Sequence, residues 1–261
     1  MIRLPIITAL FLALAACSSN DPVFTGPAKD GTPTTASEAA SLENFIAAGS
    51  AGDTTTEILN GSISDPGGSP IAETGKVSRT TRTVLVDGLP VVVSMDKIGD
   101  HTGLLKITRN GQVAYRIPTA TNPTATLHGA PTGVYMGRAE GEFRMSADST
   151  VRHGNGVGYV YLNSETGTGS ASAFIVAEDG SAIGLGSEIA VENGQFLTNE
   201  TSVLFGQGNS FTETAERATL EGQFIGTPEN AGVTGLFHGQ NAESGFMLNG
   251  GFTAAWQDQL G

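Results

Sequence analysis

The sequence predicts an all-β protein whose C-terminal half closes into an antiparallel barrel of eight strands, preceded by a small antiparallel sheet and a short N-terminal helix. Three observations carry this prediction. The 36 glycines in 261 residues are about twice the average share, follow no collagen-like period and alternate with β-branched and aromatic residues. Asp-Gly and Asn-Gly pairs separate β-rich runs, as in tight hairpins. About nine such runs follow residue 133, enough for a small closed barrel.

Residues 1–16 are predicted to be a secretory signal peptide. One early cation precedes an apolar run over residues 4–16 that is too short to span a bilayer as a stable helix. The run ends in Ala15-Ala16-Cys17, with a leucine before it, and this ending resembles the lipobox of bacterial lipoproteins. In that motif the leader is cut before the cysteine, whose thiol then carries diacylglycerol.

The lipobox resemblance implies lipidation at Cys17, with diacylglycerol and palmitate, and anchoring to a membrane, because two or three acyl chains attach a protein stably. Ser18, which follows the cysteine, implies sorting to the outer membrane; whether the protein faces the cell surface or the periplasm stays open. The alternative is an ordinary signal peptide with a chance cysteine. Cys17 is the only cysteine, so the chain forms no internal disulfide.

Residues 17–35 are predicted to be a flexible tether, because prolines lie there among Gly, Ser, Thr and Asp. Residues 36–118 are predicted to hold a short helix and a small antiparallel sheet. Thr35 and Glu38 have the spacing of a capping box, and Gly49 ends the helical pattern. The apolar residues of this helix lie on one face: Leu42, Phe45 and Ile46.

The sheet of about four strands is predicted from two hairpin signals, Asp-Gly at residues 87–88 and Asn-Gly at residues 110–111. A stretch rich in Pro and Thr, residues 118–131, then separates this region from the barrel, which is predicted over residues 125–258.

Within the barrel, residues 141–148 alternate between apolar and polar, which indicates a strand with one buried and one solvent-facing side. The pattern Gly-x-aromatic-x-Gly occurs at residues 133–137, 222–226 and 235–239. It predicts places where the sheet bends sharply or where a ring covers bare backbone. Further strands are predicted at residues 157–162, 170–177, 182–191, 195–205, 215–225, 233–238 and 245–256.

Residues 221–256 resemble the closing hairpins of the barrel of the transferrin-binding protein B family. The residues that carry the resemblance are Gly222-Gln223-Phe224-Ile225-Gly226, Gly232-Val233-Thr234-Gly235-Leu236-Phe237-His238-Gly239, Gln240-Asn241-Ala242-Glu243 and Gly250-Gly251-Phe252. Members are surface lipoproteins whose C-lobe is an eight-stranded barrel, often preceded by a smaller β domain called the handle. The resemblance implies that the sheet within residues 36–118 is handle-like. The family usually has Gly-Pro-Asn-Ala-Glu-Glu at residues 239–244, and this chain is a single lobe, so transferrin binding itself is not implied.

The sequence contains none of the common catalytic or cofactor-binding signatures, which indicates a protein that is not an enzyme and binds no cofactor. The signatures Gly-x-Ser-x-Gly and His-Glu-x-x-His, the P-loop and the dinucleotide fingerprint are absent from the sequence. A net charge of −13 argues against nucleic acid as a partner, because phosphate binding needs Lys and Arg. His128, His153 and His238 each precede a glycine; a metal or haem site is one interpretation, and strand ends at turns are the favoured one.

Several polar residues also have a structural interpretation. An acid and base pair is conceivable on a strand, but exposed strand faces explain the carboxylates better on so acidic a chain. The candidates are Glu140, Glu142 and Asp148, and separately Glu213 and Glu216. The Asp-Gly at residues 179–180 and the Asn-Gly at residues 193–194 are interpreted as hairpin turns before calcium ligands, and Trp256 as a packing residue.

The sequence thus predicts a lipid-anchored outer-membrane lipoprotein that acts as a non-enzymatic binding module for an external protein or small-molecule ligand. The alternative is a structural or accessory envelope lipoprotein that is part of a membrane complex. Apolar residues clustered on one barrel face would favour the alternative, and a deep cavity or long loops would favour ligand capture. A membrane-spanning barrel is disfavoured, because residues 213–221 carry charges on both strand faces.

Overall fold

The computed structural model describes residues 23–24, 55–58, 62–64, 70–73, 77–86, 89–118, 126–146, 149–207 and 210–257. This part of the chain is built of β-strands, with one 3-10 helix at Pro228–Asn230. The strands before the barrel are β1 (Val23–Phe24), β2 (Thr55–Ile58), β3 (Ser62–Ser64), β4 (Pro70–Glu73), β5 (Val77–Val86), β6 (Leu89–Ile98), β7 (His101–Arg109) and β8 (Gln112–Arg116). The barrel strands are β9 (Gly133–Arg144), β10 (Arg152–Asn163), β11 (Thr168–Ala177), β12 (Ser181–Ala190), β13 (Gln195–Gln207), β14 (Ser210–Ile225), β15 (Gly232–Asn241) and β16 (Phe246–Trp256).

Strands β9 to β16 form a closed antiparallel barrel, which confirms the predicted eight-stranded fold. Each strand pairs with the next, and β16 pairs back with β9 to close the barrel. Side chains alternate along each strand, so every second residue points inward. The interior is filled by side chains, as a barrel of about eight strands allows. Its largest fully buried rings are Tyr135, Phe143, Phe224, Phe237, Phe246 and Phe252.

Aromatic residues inside the barrel pack closely against glycines of other barrel strands. A Cβ placed on Gly235 would lie 2.3 Å from the ring of Phe252, and one on Gly158 would lie 2.5 Å from the Cβ of the same residue. Phe237 lies in the same way over Gly250, at 2.3 Å. The prediction that a ring covers bare backbone is therefore confirmed for the repeat at residues 235–239, whose Phe237 covers Gly250 and whose Gly235 is covered by Phe252.

The region before the barrel forms a six-stranded antiparallel sheet in the order β1-β8-β7-β6-β5-β2, and β3 pairs separately with β4. The predicted sheet of about four strands gains β1 and β2 as short edge strands. The sheet packs on the outer side of the strands that close the barrel: Leu104 and Tyr115 pack with Leu236. At the same contact Asn249 Nδ2 donates a hydrogen bond to the carbonyl oxygen of Val113 at 3.3 Å.

Two of the predicted hairpin turns have the backbone geometry that the sequence indicated. Asn110 and Gly111 have φ values of 51° and 76°, and Asn193 and Gly194 have 52° and 75°. Two consecutive residues in the left-handed region are what a type I′ turn requires. The turn predicted at residues 87–88 lies outside the described residues.

Two predictions are corrected by the structure, and others concern residues that the structure does not describe. The polar face of residues 141–148 was expected to face solvent, yet Glu142 is buried, and so is Glu140 two residues earlier, because the sheet covers this side of β9. His153 and His238 lie within β10 and β15 and not at turns, whereas His128 does lie in a turn. Cys17, residues 1–22 and the helix predicted after residue 35 lie outside the described residues. In the described part, no helix has the length and apolar character needed to cross a membrane.

Candidate functional site

A shallow apolar groove lies on the outer wall of the barrel, on strands β10 to β14. Its volume is about 250 Å³, and five of its lining residues are Val157, Phe174, Gly184, Leu204 and Phe211. The strand register explains why they meet. Val157 pairs with Phe174, Phe174 with Gly184, and Gly184 with Leu204, so one row of outward positions crosses four strands.

The depression in this row is produced by Gly184. A Cβ placed on Gly184 would lie 3.7 Å from Phe174 Cδ2 and 3.7 Å from Leu204 Cβ, both ordinary van der Waals contacts. The position thus has room for a Cβ, and the glycine leaves a gap between the side chains of Phe174 and Leu204. Gly184 is therefore the position at which a larger residue is expected to fill the groove at small cost to the fold.

Two exposed apolar side chains extend the groove toward the β11–β12 turn. Phe211 is 38% exposed, and its ring centroid lies 5.3 Å from that of Phe174. Val176 is 41% exposed. Single exposed apolar residues are common, but a contiguous apolar patch on a soluble surface marks an interaction site. This wall thus has the composition of a docking surface.

Charge is unevenly distributed between the two sides of the molecule. Residues 77–144, which form most of the sheet and β9, hold eight Lys and Arg against five Asp and Glu, a net charge of +3. Residues 152–225, which form β10 to β14, hold two arginines against nine carboxylates, a net charge of −7. The groove therefore lies on the acidic side.

Exposed carboxylates lie on two elements that also carry groove residues, β14 and the turn that follows β11. Glu213 is exposed and pairs in register with Leu204 on the neighbouring strand. Glu178 and Asp179 are exposed in the turn that follows Val176. Arg152 Nε donates to Asp179 Oδ2 at 2.7 Å, and this hydrogen bond, with one from Ser181, lowers the pKa of Asp179 to about 2.

A buried ionic cluster joins the sheet to the barrel on the opposite side. Arg79 of β5 donates to Asp96 of β6 through Nε at 2.6 Å and Nη2 at 3.0 Å, and Nη2 also donates to Glu140 of β9. Lys106 of β7 donates to the second oxygen of Glu140 at 2.7 Å. Arg79, Asp96 and Glu140 are all at least nine-tenths buried. The cluster therefore holds three strands of the sheet against the barrel.

The two carboxylates of this cluster have pKa values shifted in opposite directions. Burial alone would raise the pKa of Glu140, but the charges and hydrogen bonds of Arg79 and Lys106 outweigh it and hold that pKa below its usual value. Burial raises the pKa of Asp96 in spite of its pairing with Arg79. Burial, with the nearby carboxylates of Glu140 and Glu142, also raises the pKa of Tyr115. Glu140 is thus held ionised between two cations, in a structural position.

This shift predicts a pH dependence of stability. A carboxyl group with a lowered folded-state pKa contributes stability that is fully present above its unfolded pKa, about 4.3 for glutamate, and is lost as the pH falls through the folded value. We therefore expect the free energy of unfolding to fall as the pH is lowered below about 5, and to fall less in Glu140→Gln. Urea titrations across this range measure the two slopes. Equal slopes in the two proteins would contradict the assignment.

The other candidate residues are placed apart from one another. His153 Nδ1 lies 3.1 Å from Glu142 Oε1, with the imidazole largely exposed. Glu213 accepts a hydrogen bond from the Ser202 hydroxyl, whereas Glu216 accepts from Asn241 Nδ2, so different partners hold the two carboxylates. Among the described residues, no group of three or more side chains is placed to hold a metal ion. Trp256 is half-buried and packs on the barrel core, as predicted.

Sequence reasoning missed the groove. The available signal was β11, where apolar residues occupy both faces: Ala173 and Ile175 point into the core, while Phe174 and Val176 point outward. A strand with one wet face normally alternates apolar with polar residues. Apolar residues on both faces of one strand therefore indicate a second buried or binding surface.

The described residues define an eight-stranded barrel with a sheet packed on one wall and an apolar groove on another. No protein-family model matches the sequence, and no curated protein sequence matches it. Similar solved structures are those of transferrin-binding protein B, the family that residues 221–256 resemble. A variant of the vaccine antigen from Haemophilus parasuis has a TM-score of 0.44 and 10% identity, with 69% of this chain and 38% of that chain covered. The protein from serogroup B Neisseria meningitidis has a TM-score of 0.35 and 16% identity, with 68% and 36% covered. The matches thus cover less than two fifths of the length of either protein.

Proposed function

We propose that this chain is a lipid-anchored, non-enzymatic module of the outer membrane that binds another protein. The observation that carries the proposal is the apolar groove on the barrel wall that the sheet leaves uncovered, with Phe211 and Val176 exposed beside it. The barrel interior is occupied by aromatic and aliphatic side chains. The binding surface is therefore the outer wall, and the partner is a macromolecule that docks on it.

The anchor in this proposal is Cys17. Residues 1–16 serve as the signal peptide and Cys17 carries the acyl chains. The tether, predicted over residues 17–35, is shortened at Val23, because β1 begins there and belongs to the sheet, so the residues between Cys17 and Val23 separate the folded body from the membrane. The lipobox and Ser18 support this assignment and the outer-membrane location. The anchor concentrates the module at the membrane, where it meets its partner in two dimensions.

A second candidate function follows from the position of the groove. Apolar residues clustered on one barrel face favour an accessory role in an envelope complex, whereas capture of a small ligand calls for a deep cavity. Capture of an external protein and membership of an envelope complex share the same docking wall. They differ in whether the partner lies outside the cell or within the envelope.

Photo-cross-linking in intact cells tests the proposal. A photoreactive amino acid replaces Val176, beside the groove, in one strain, and Leu197, which is 62% exposed and does not line the groove, in another. We expect a discrete adduct from position 176 and none above background from position 197. Equal yields at both positions, or no adduct at either, would contradict a binding wall.

Fractionation and protease treatment of cells test where the protein is located. Cys17→Ser is expected to release the protein from the membrane fraction, because it removes the acylated thiol; retention of the variant in that fraction would contradict the anchor. Protease added to intact cells then separates the two candidate functions. Loss of the protein indicates surface exposure and an external partner, whereas protection until the outer membrane is opened indicates an envelope partner.

A further inference from the structure

We infer that the groove takes a cationic protein segment, in which one large apolar side chain is flanked by lysine or arginine. This inference rests on the proposed function and names the chemistry of its partner. It combines three features of the β10–β14 wall: the size of the groove, the charge around it and the gap that Gly184 leaves between Phe174 and Leu204.

The groove has the size of a side-chain site. Small-molecule pockets enclose most of their ligand and have volumes of about 300–1,000 Å³. The groove is shallow and smaller, at about 250 Å³, and its walls are the side chains of Phe174, Leu204 and Phe211. Such a depression accommodates one large apolar side chain presented by another surface, as the apolar anchors of protein interfaces are accommodated.

The groove has acidic borders whose charge is only partly compensated. Glu213 is exposed and pairs in register with the groove residue Leu204, and Glu178 is exposed in the turn at the end of β11, the strand that carries Phe174. The two arginines of the wall are engaged locally. Arg152 pairs with Asp179, and Arg217 donates through Nη1 to the carbonyl oxygens of Thr214 and Glu216. Arg217 Nη2 also lies 4.0 Å from Glu213 Oε1, a distant and exposed ion pair that leaves Glu213 largely in solvent.

Arg138 is a cation on the β9 side of the groove: it pairs in register with the groove residue Val157, and its Nη2 donates to Asn155 Oδ1 at 3.0 Å. Cations flanking an apolar side chain of the partner would therefore meet Glu178 and Glu213.

Charge also discriminates against other occupants. A second copy of this chain brings a net charge of −13, and its own β10–β14 wall carries −7, so face-to-face pairing of two such walls is opposed by like charge. An anionic lipid surface is opposed for the same reason. A basic segment is attracted, and the attraction weakens as salt shortens the Debye length.

The test uses the full-length protein in phosphatidylcholine nanodiscs and three fluorescent peptides. The first has the sequence Gly-Lys-Lys-Phe-Leu-Lys-Lys-Gly; the second replaces the lysines with glutamate, and the third replaces Phe-Leu with Ser-Ser. Fluorescence anisotropy measures the affinities. We expect the first peptide to bind at least about tenfold more tightly than either of the others. Equal binding of all three, or no binding of the first, would overturn the inference.

Matched variants assign the binding to the groove. Gly184→Gln fills the depression with a neutral side chain and is expected to weaken the first peptide about tenfold. Glu178→Gln with Glu213→Gln is expected to reduce both the affinity and its salt dependence. The control, Glu165→Gln with Glu192→Gln, removes the same charge at the opposite end of the barrel and should leave binding unchanged. An equal effect of the two double variants would mean that only net charge matters, and would overturn the assignment.

The peptide assay and the cross-linking experiment together distinguish failure of this inference from failure of the proposed function. If position 176 gives an adduct but the lysine peptide shows no preference, the wall binds a protein of different chemistry, and only this inference is lost. If position 176 gives no adduct, the proposed function itself is contradicted. Folding of each variant is checked by the fluorescence of Trp256, the only tryptophan, which packs on the barrel core.

Discussion

Replacing Arg79 with methionine is expected to lower the free energy of unfolding by about 3–5 kcal/mol. The change leaves Asp96 and Glu140 buried between the sheet and the barrel without the guanidinium that they share. A buried charge that loses its partner keeps its desolvation cost and loses its compensation. Urea denaturation, followed by the fluorescence of Trp256, measures the loss.

The control for this prediction is Arg152→Gln. Arg152 also pairs with an aspartate at 2.7 Å, but the Asp179 carboxylate is solvent-exposed, so the loss is expected to be much smaller than that in Arg79→Met. A similar loss in the two variants would show that burial does not determine how much an ion pair contributes to the free energy of unfolding. The triple variant R79M/D96L/E140Q should recover much of the stability, because it removes the buried charges together with their cation.

Gly137→Ala is expected to prevent the barrel from closing, or to cost more than about 3 kcal/mol. Gly137 of β9 pairs with Ala254 of β16, at the seam between the first and last barrel strands. A Cβ at this position would lie 2.0 Å from the carbonyl oxygen of Thr253 and 2.6 Å from Ala254 Cα. Both atoms belong to the backbone of the paired strand, so relief requires the two strands to separate.

The matched control is Gly186→Ala on β12. No atom lies within 4 Å of a Cβ placed there, so the variant is expected to stay within about 0.5 kcal/mol of the parent protein. Circular dichroism shows whether each variant folds, and urea denaturation gives the difference between them. Equal behaviour of the two alanine variants would mean that the seam is more open than its register indicates.

The outward residues of the barrel are covered by the sheet on one side and remain in contact with solvent on the other. On the sheet side, outward residues such as Glu140 and Thr253 contact β5 and β7. The Thr253 hydroxyl accepts a hydrogen bond from the backbone N–H of Leu104 at 3.0 Å. On the side of β10 to β14, outward residues such as Phe211 keep part of their surface in solvent. The same strand pattern thus serves internal packing on one wall and, in our proposal, recognition on the other.

Sequence alone predicted what local chemistry determines. The left-handed conformations at Asn110-Gly111 and Asn193-Gly194 follow from the side chains of those residues, and the turns follow from the conformations. The alternation of residues in 141–148 predicted which side chains enter the barrel, and Phe143 does so. The return of glycine beside aromatic residues predicted ring-over-glycine packing, since few other arrangements bury a ring against a strand without a clash.

The tertiary structure decided what covers each outward face. Alternation shows that Glu140 and Phe174 point away from the barrel core, but it carries no information on what lies beyond them. The docked sheet buries Glu140 against Arg79, 61 residues away in the chain, and leaves the row of Phe174, Gly184 and Leu204 uncovered. Strand periodicity is a local property, whereas burial of an outer face depends on contacts between distant segments. The barrel could therefore be predicted from the sequence, whereas the ionic cluster and the groove could not.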